Sequence, residues 1–127
     1  MKSRVICVDD QMGIRMLLKE ILKEDYNVKT VGTGKEAIQA FKDFRPDVVM
    51  LDMCLEDMKG TEVLNHIREV DSSTKVVMIT GYTEDDMLSE IKSFEPEYIL
   101  HKPFDILSMK KKLRNIVERC NYSTFYN

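Results

Sequence analysis

Two adjacent carboxylates, Asp9 and Asp10, end the apolar run at 5–8. A third, Asp52, ends "DVVML"; a hydroxyl, Thr80, ends "KVVMI"; and an ammonium, Lys102, follows "YILH" just before Pro103. Brought to one place, three carboxylates repel and raise each other's pKa values unless a cation lies among them. Oxygen ligands suit a hard divalent ion, and Mg²⁺ in particular takes one or two carboxylates and keeps several waters. Those waters leave room for a phosphoryl oxygen. Lys102 offers a positive charge to a second oxygen and Thr80 a hydroxyl donor to a third. A carboxylate is itself a competent nucleophile that forms an acyl phosphate. Phosphoryl transfer asks mostly for positioning and charge neutralisation, which this set supplies. Any one of the five alone reads equally well as a solvated strand end; all five at strand ends make that bland reading poor.

The elements needed to gather them are legible along the chain. Strand-like runs at 4–8, 28–31, 47–52, 75–80 and 98–102 alternate with helix-like patterns. The first helix shows Ile14, Leu17, Leu18, Ile21 and Leu22 at one-face spacing. The second starts after a plausible N-cap, Thr33, turns Ala37, Ile38 and Phe41 inward, and stops before Pro46. The third presents Val63, Leu64, Ile67 and Val70. A short amphipathic helix covers 84–94, and the last presents Ile106, Met109, Leu113, Ile116 and Val117. Strands rich in Val, Ile and Met with little alternation expect burial on both faces. Five βα units in 127 residues predict an α/β fold: a doubly wound five-stranded parallel sheet. In such sheets ligands bind beyond the carboxyl ends of the strands, where the acids, Thr80 and Lys102 fall. The second strand contributes nothing there.

Composition narrows the classes. Apolar residues are 43% and charged residues 32%, as in a globular domain. With 19 basic against 22 acidic residues and a net charge of −3, direct nucleic-acid binding is not expected. Lys110, Lys111 and Lys112 read as a solvated helix face. No apolar run reaches the ~20 residues of a membrane span, and the N-terminus is too short in apolar residues for a signal peptide. Three widely spaced cysteines, Cys7, Cys54 and Cys120, suggest neither a disulfide framework nor a zinc knuckle and fit a reducing cytoplasm. Cys7 reads as a small buried hydrophobe, His66 as a surface residue, His101 as locally packed, and the nine methionines as mostly core.

The pieces "VDD" (8–10), "VVMLD" (48–52) with Gly60 eight residues beyond its acid, "MITG" (78–81) and "KPF" (102–104) resemble, in order and spacing, the receiver domain of two-component response regulators. The likeness covers nearly the whole chain. The stretches 8–22 and 102–106 are most similar to single-domain members of a sporulation phosphorelay. The resemblance implies a flavodoxin-like (βα)5 fold with strand order 2-1-3-4-5, and a receiver domain over 1–120 followed by a short tail, 121–127. It implies Asp52 as phosphoacceptor, Asp10 and Asp52 as Mg²⁺ ligands with the backbone carbonyl of Cys54, and Asp9 assisting through water. Thr80 and Lys102 would bind phosphoryl oxygens, and the Lys102–Pro103 bond is often cis in the family. Partners would be a sensor histidine kinase or histidine phosphotransferase, docked at Gln11, Gly13, Ile14, Tyr82 and Phe104.

Three departures stand out. The family commonly has proline four residues after the acceptor; here it is Glu56, with Asp57 next, so a more mobile and more acidic loop is expected. The family's aromatic or histidine three residues before the lysine is here Ile99, while Tyr98 should point to the opposite face. Cys54 and Tyr82 flank the path of attacking water without an acid or amide, which predicts slow self-hydrolysis. Rival readings are a receiver from a longer regulator, an aspartate-based small-molecule phosphohydrolase and a flavin binder. The phosphohydrolase lacks a second acid at position 54 and a cap insertion. The flavin binder would need a phosphate-cradling loop where "DDQMG" stands. No enzymatic turnover is expected beyond self-phosphorylation and slow loss of the group. Only "NYSTFYN" follows the last helical pattern, which leads to the expectation of a stand-alone relay protein.

Overall fold

The computed structural model describes residues 2–81 and 85–126, with side chains at 2–81 and 89–119. In chain order the elements are β1 (Ser3–Val8), α1 (Met12–Leu22), β2 (Tyr26–Val31), α2 (Gly34–Phe44), β3 (Val48–Asp52), α3 (Gly60–Val70), β4 (Lys75–Thr80), α4 (Asp85–Ser93), β5 (Tyr98–His101) and α5 (Ile106–Tyr126). All four strand pairings are parallel and the order is β2-β1-β3-β4-β5, as expected from the alternating pattern and the resemblance.

Alternate residues of each strand feed two cores, one on each face of the sheet. Val5, Cys7, Val48, Met50, Val77, Ile79 and Leu100 pack with Leu18 and Leu22 of α1 and Met109, Leu113, Ile116 and Val117 of α5. Ile6, Val8, Val49, Leu51, Val76 and Met78 pack with residues of α2, α3 and α4, including Phe41, Leu64 and Ile91. Burial on both faces explains why the strands show so little polar alternation.

Local signals place the helices. Thr33 caps α2, its hydroxyl accepting from the N–H of Glu36 at 3.1 Å. Arg45 closes that helix in the left-handed conformation (φ 51°), its N–H reaching the Phe41 carbonyl, and Pro46 follows.

Several expectations need correction. Leu17, Val70 and Ile106 are exposed, not inward. Leu18 and Leu22, with Ile14 and Ile21 beside them, form the inward face of α1, while Val70 and Ile106 are the last and first residues of their helices. The backbone of α5 runs from Ile106 to Tyr126. Met12 and Met16 are solvent-exposed, whereas Met50, Met53, Met78 and Met109 are core. His66 is a surface residue as expected, and His101 is exposed rather than packed. No described helix is long and apolar enough to cross a membrane.

Candidate functional site

Parallel pairing carries the polar strand ends to one edge. Asp52 ends β3 opposite Ile79, Thr80 ends β4 opposite His101, and Asp9 and Asp10 follow β1. Lys102 is held at the end of β5 by its own N–H, which donates to the Thr80 carbonyl at 2.8 Å. The Lys102–Pro103 peptide is cis, as the resemblance implies. Oxygens of Asp9, Asp10 and Asp52 lie within 4.8 Å of one another, a spacing at which one cation can meet all three.

Burial makes this cluster electrostatically demanding. Asp9 and Thr80 are fully buried and Asp52 nearly so; Asp10 is half-buried. Asp9 accepts the N–H of Gln11 at 2.9 Å and the Lys102 ammonium at 3.1 Å. The same ammonium stands 3.6 Å from Asp52, and the Cys54 N–H lies 3.5 Å from the other Asp52 oxygen. These partners do not suffice for Asp52: burial, then the Asp9 carboxylate, push its pKa up from 3.8 to about 6. Burial works against the charge of Lys102, yet Asp9 and Asp52 outweigh it and hold the ammonium's pKa above its usual value. Among the described residues, Lys102 is the one cation paired with these three carboxylates, which leaves the cluster short of positive charge. An all-oxygen donor set of this kind fits a hard divalent cation such as Mg²⁺.

The loop after Asp52 is built on Gly60. A Cβ there would stand 2.4 Å from the Asp52 carbonyl oxygen and 2.9 Å from the Met53 Cα, so only glycine lets α3 start this close to β3. The Gly60 N–H closes the loop onto the Met53 carbonyl at 2.7 Å, and Cys54 forms a bridge with Lys59.

Other expected residues are more scattered. Gln11 and Gly13 are exposed at the rim; Ile14 and Phe104 are half-buried and pack against the α1–α5 core. Tyr82 lies outside the described residues. Ile99 packs into the α2–α3–α4 core. Tyr98 faces the other side, where the Lys112 ammonium lies 4.7 Å from its ring centre, as strand alternation requires.

Two further residues near the site make contacts that the sequence did not announce. Arg15 of α1 donates from Nη1 to the Asp9 carbonyl at 2.7 Å. Asp57 is anchored, not loose: its two oxygens accept the N–H groups of Gly34 and Lys35 at 2.8 and 3.0 Å, and these bonds hold its pKa below the usual range. The expectation of a more mobile 55–59 loop therefore has no support in its contacts. No local pattern marks either residue; the available hint is a pair of glycines, Gly32 and Gly34, flanking Thr33.

Comparison with known proteins bears on this arrangement. The family model for the response regulator receiver domain matches residues 5–114. Sporulation initiation phosphotransferase F of Bacillus subtilis is 38% identical over 107 residues, covering 84% of this chain and 86% of that protein. Chemotaxis protein CheY of Thermotoga maritima is 34% identical, covering 82% and 88%. DNA-binding response regulator MtrA of Mycobacterium leprae is 31% identical over 94% of this chain but only 53% of its own length. Among solved structures, chemotaxis response regulator CheY4 of Vibrio cholerae superposes with a TM-score of 0.83 at 28% identity, covering 91% of this chain and 99% of that one. With its fold, its clustered aspartates and these likenesses together, the chain belongs to the response regulator receiver domain family.

Proposed function

We propose that Asp52 accepts a phosphoryl group from a phosphohistidine on a sensor histidine kinase or histidine phosphotransferase and passes it on in a cytoplasmic relay. The observation that carries this reading is the convergence of Asp9, Asp10, Asp52 and Lys102 in one buried, cation-poor cluster. Without a cation, burial and Asp9 raise the Asp52 pKa to about 6, so the carboxylate has reason to accept a cation and an electrophile at neutral pH. An Asp52 oxygen attacks phosphorus, the N–P bond breaks, and its electron pair returns to the imidazole nitrogen. Lys102, already beside Asp52, turns to a phosphoryl oxygen, and Thr80 offers its hydroxyl to another. Asp9, Asp10, Asp52 and the Cys54 carbonyl are the groups that would hold Mg²⁺, whose charge neutralises the phosphoryl oxygens when it is bound.

The donor must reach Asp52 from the open edge of the sheet, so its helices cover the rim formed by Gln11, Gly13, Ile14 and Phe104. Met12 and Met16, 64% and 66% exposed on α1, extend that rim with adaptable apolar surface. Ile99 at the usual aromatic position, with Tyr98 engaged by Lys112, supports a weak conformational readout on α4 and so favours a carrier over a switch. The likeness to a sporulation phosphotransferase points the same way. The match to half of MtrA supports a second reading, a receiver that feeds a DNA-binding module.

A test is transfer in both directions with a phosphorylated histidine phosphotransfer domain, followed by Phos-tag electrophoresis. The relay reading expects label to move onto this chain within seconds and back onto an unphosphorylated acceptor. Uptake without any return would favour the second reading, and no uptake would overturn both.

A further inference from the structure

β2 brings no chemical group to the site, yet both acid-bearing segments lean on the turn that follows it. On one side Arg15 reaches from α1, bonds the Asp9 carbonyl at 2.7 Å and packs beside Gly32. A Cβ at Gly32 would stand 2.9 Å from Nη1 and 3.3 Å from Cζ of that guanidinium. No glycine among the described residues has a positive φ, so what a side chain at Gly32 would disturb is the flexible end of Arg15 and not the backbone. The Asp9 N–H adds a bond to the Val31 carbonyl at 3.2 Å.

On the other side Asp57, midway along the loop between Asp52 and Gly60, bridges the N–H groups of Gly34 and Lys35. A carboxylate at the start of a helix also meets the positive end of its dipole. Met58 follows so tightly that a Cβ on Gly34 would stand 2.4 Å from its Cγ and 2.6 Å from its Sδ. The two glycines flanking Thr33 thus each make room for a neighbour, one from each side of the acid cluster.

We propose that the turn Gly32–Lys35 is a brace. Through Arg15 it fixes the Asp9–Asp10 segment, and through Asp57 it fixes the 53–60 loop, so that the groups facing a divalent cation are held at their working separation. Arg15 and Asp57 are positioning residues, since neither touches the reacting atoms. Asp57 ties the middle of the 53–60 loop to the start of α2. The inference rests on the phosphoacceptor reading, because it gives the brace its purpose.

A mere helix cap and a mere surface arginine would affect melting temperature alone. A brace must affect the affinity for the cation, because a preorganised site binds without first ordering its ligands. The test uses the full chain and Mg²⁺ itself, titrated calorimetrically, with amide hydrogen exchange read at Gly34, Lys35 and residues 53–60. Asp57→Ala and Arg15→Ala are each expected to weaken Mg²⁺ binding by roughly tenfold. Asp57→Asn, which keeps one good acceptor oxygen, should fall between Asp57→Ala and the parent. Phosphorylation by acetyl phosphate at saturating Mg²⁺ should stay within about twofold of the parent rate, the effect lying in the half-saturating concentration. Gly32→Ala should weaken binding by displacing Arg15, and should add nothing in the Arg15→Ala background.

Lost protection at the Gly34 and Lys35 amides with unchanged Mg²⁺ affinity would overturn the brace. Fully additive effects of Gly32→Ala and Arg15→Ala would overturn the Arg15 arm. Should the parent protein bind no Mg²⁺ and take up no phosphoryl group, the phosphoacceptor reading would fall first and the brace with it.

Discussion

Asp52→Asn should make the metal-free protein more stable at pH 8. Asp52 is 6% exposed, and burial together with Asp9 moves its pKa from 3.8 to about 6. A folded-state pKa above the unfolded value means that the folded chain holds its proton more tightly. Stability from this group is therefore present below about pH 4 and is lost as pH rises through about 6. The whole change corresponds to roughly 3 kcal/mol, at about 1.36 kcal/mol per pKa unit. That figure is already net of the attraction of Lys102 at 3.6 Å, and it is a ceiling because the asparagine amide must itself be desolvated in the buried site. A net gain of about 1–3 kcal/mol at pH 8 is expected, shrinking to roughly half by pH 5. Urea unfolding followed by far-UV circular dichroism in EDTA, at pH 5, 6.5 and 8, reads this directly. Saturating Mg²⁺ should shrink or reverse the gap at pH 8, since only the parent keeps the third carboxylate. A variant less stable than the parent at pH 8, or a gain that does not change with pH, would refute the argument that charge crowding is stored at Asp52.

Other consequences follow from the same geometry. Gly60→Ala should cost about 2–4 kcal/mol, because its Cβ meets backbone and not a flexible side chain; a thermal melt unchanged within error would count against the close approach. Cys7, buried and pushed up to about pKa 12, should resist Ellman's reagent in the native protein while exposed Cys54 reacts within minutes, and equal rates would show that the β1 strand opens readily. With a cysteine at position 54 and no acid or amide there to orient water, phosphorylated protein should lose its group over minutes or longer, with Cys54→Asn shortening that lifetime. Decay of the parent in seconds would contradict this.

The site was legible because parallel βα units oblige every strand to end on the same edge. Asp9, Asp10, Asp52, Thr80 and Lys102 each stand at the end of an apolar run, so five local readings add up to one place. The two-face burial followed from the same runs, and strand alternation alone put Tyr98 on the face away from Ile99. Helix ends were harder: Val70 and Ile106 carry the right spacing, but whether the sheet extends beneath them depends on strand lengths set elsewhere. The contacts of Arg15 and Asp57 were out of reach for a different reason. Asp57 joins Gly34 and Lys35 across more than twenty positions, brought together by the crossover connections, while Arg15 reaches from α1 to a backbone carbonyl six residues back, and a polar side chain on the surface has many such potential partners. The acidic 55–59 loop looked loose for that reason, although its middle acid is tied to α2.

The most direct test of the central claim is intact mass after incubation with acetyl phosphate and Mg²⁺, for the parent and for Asp52→Asn. The account predicts one added phosphoryl group on the parent, dependent on the metal and absent from the variant. An adduct of the same size on Asp52→Asn, or one formed equally well in EDTA, would contradict it.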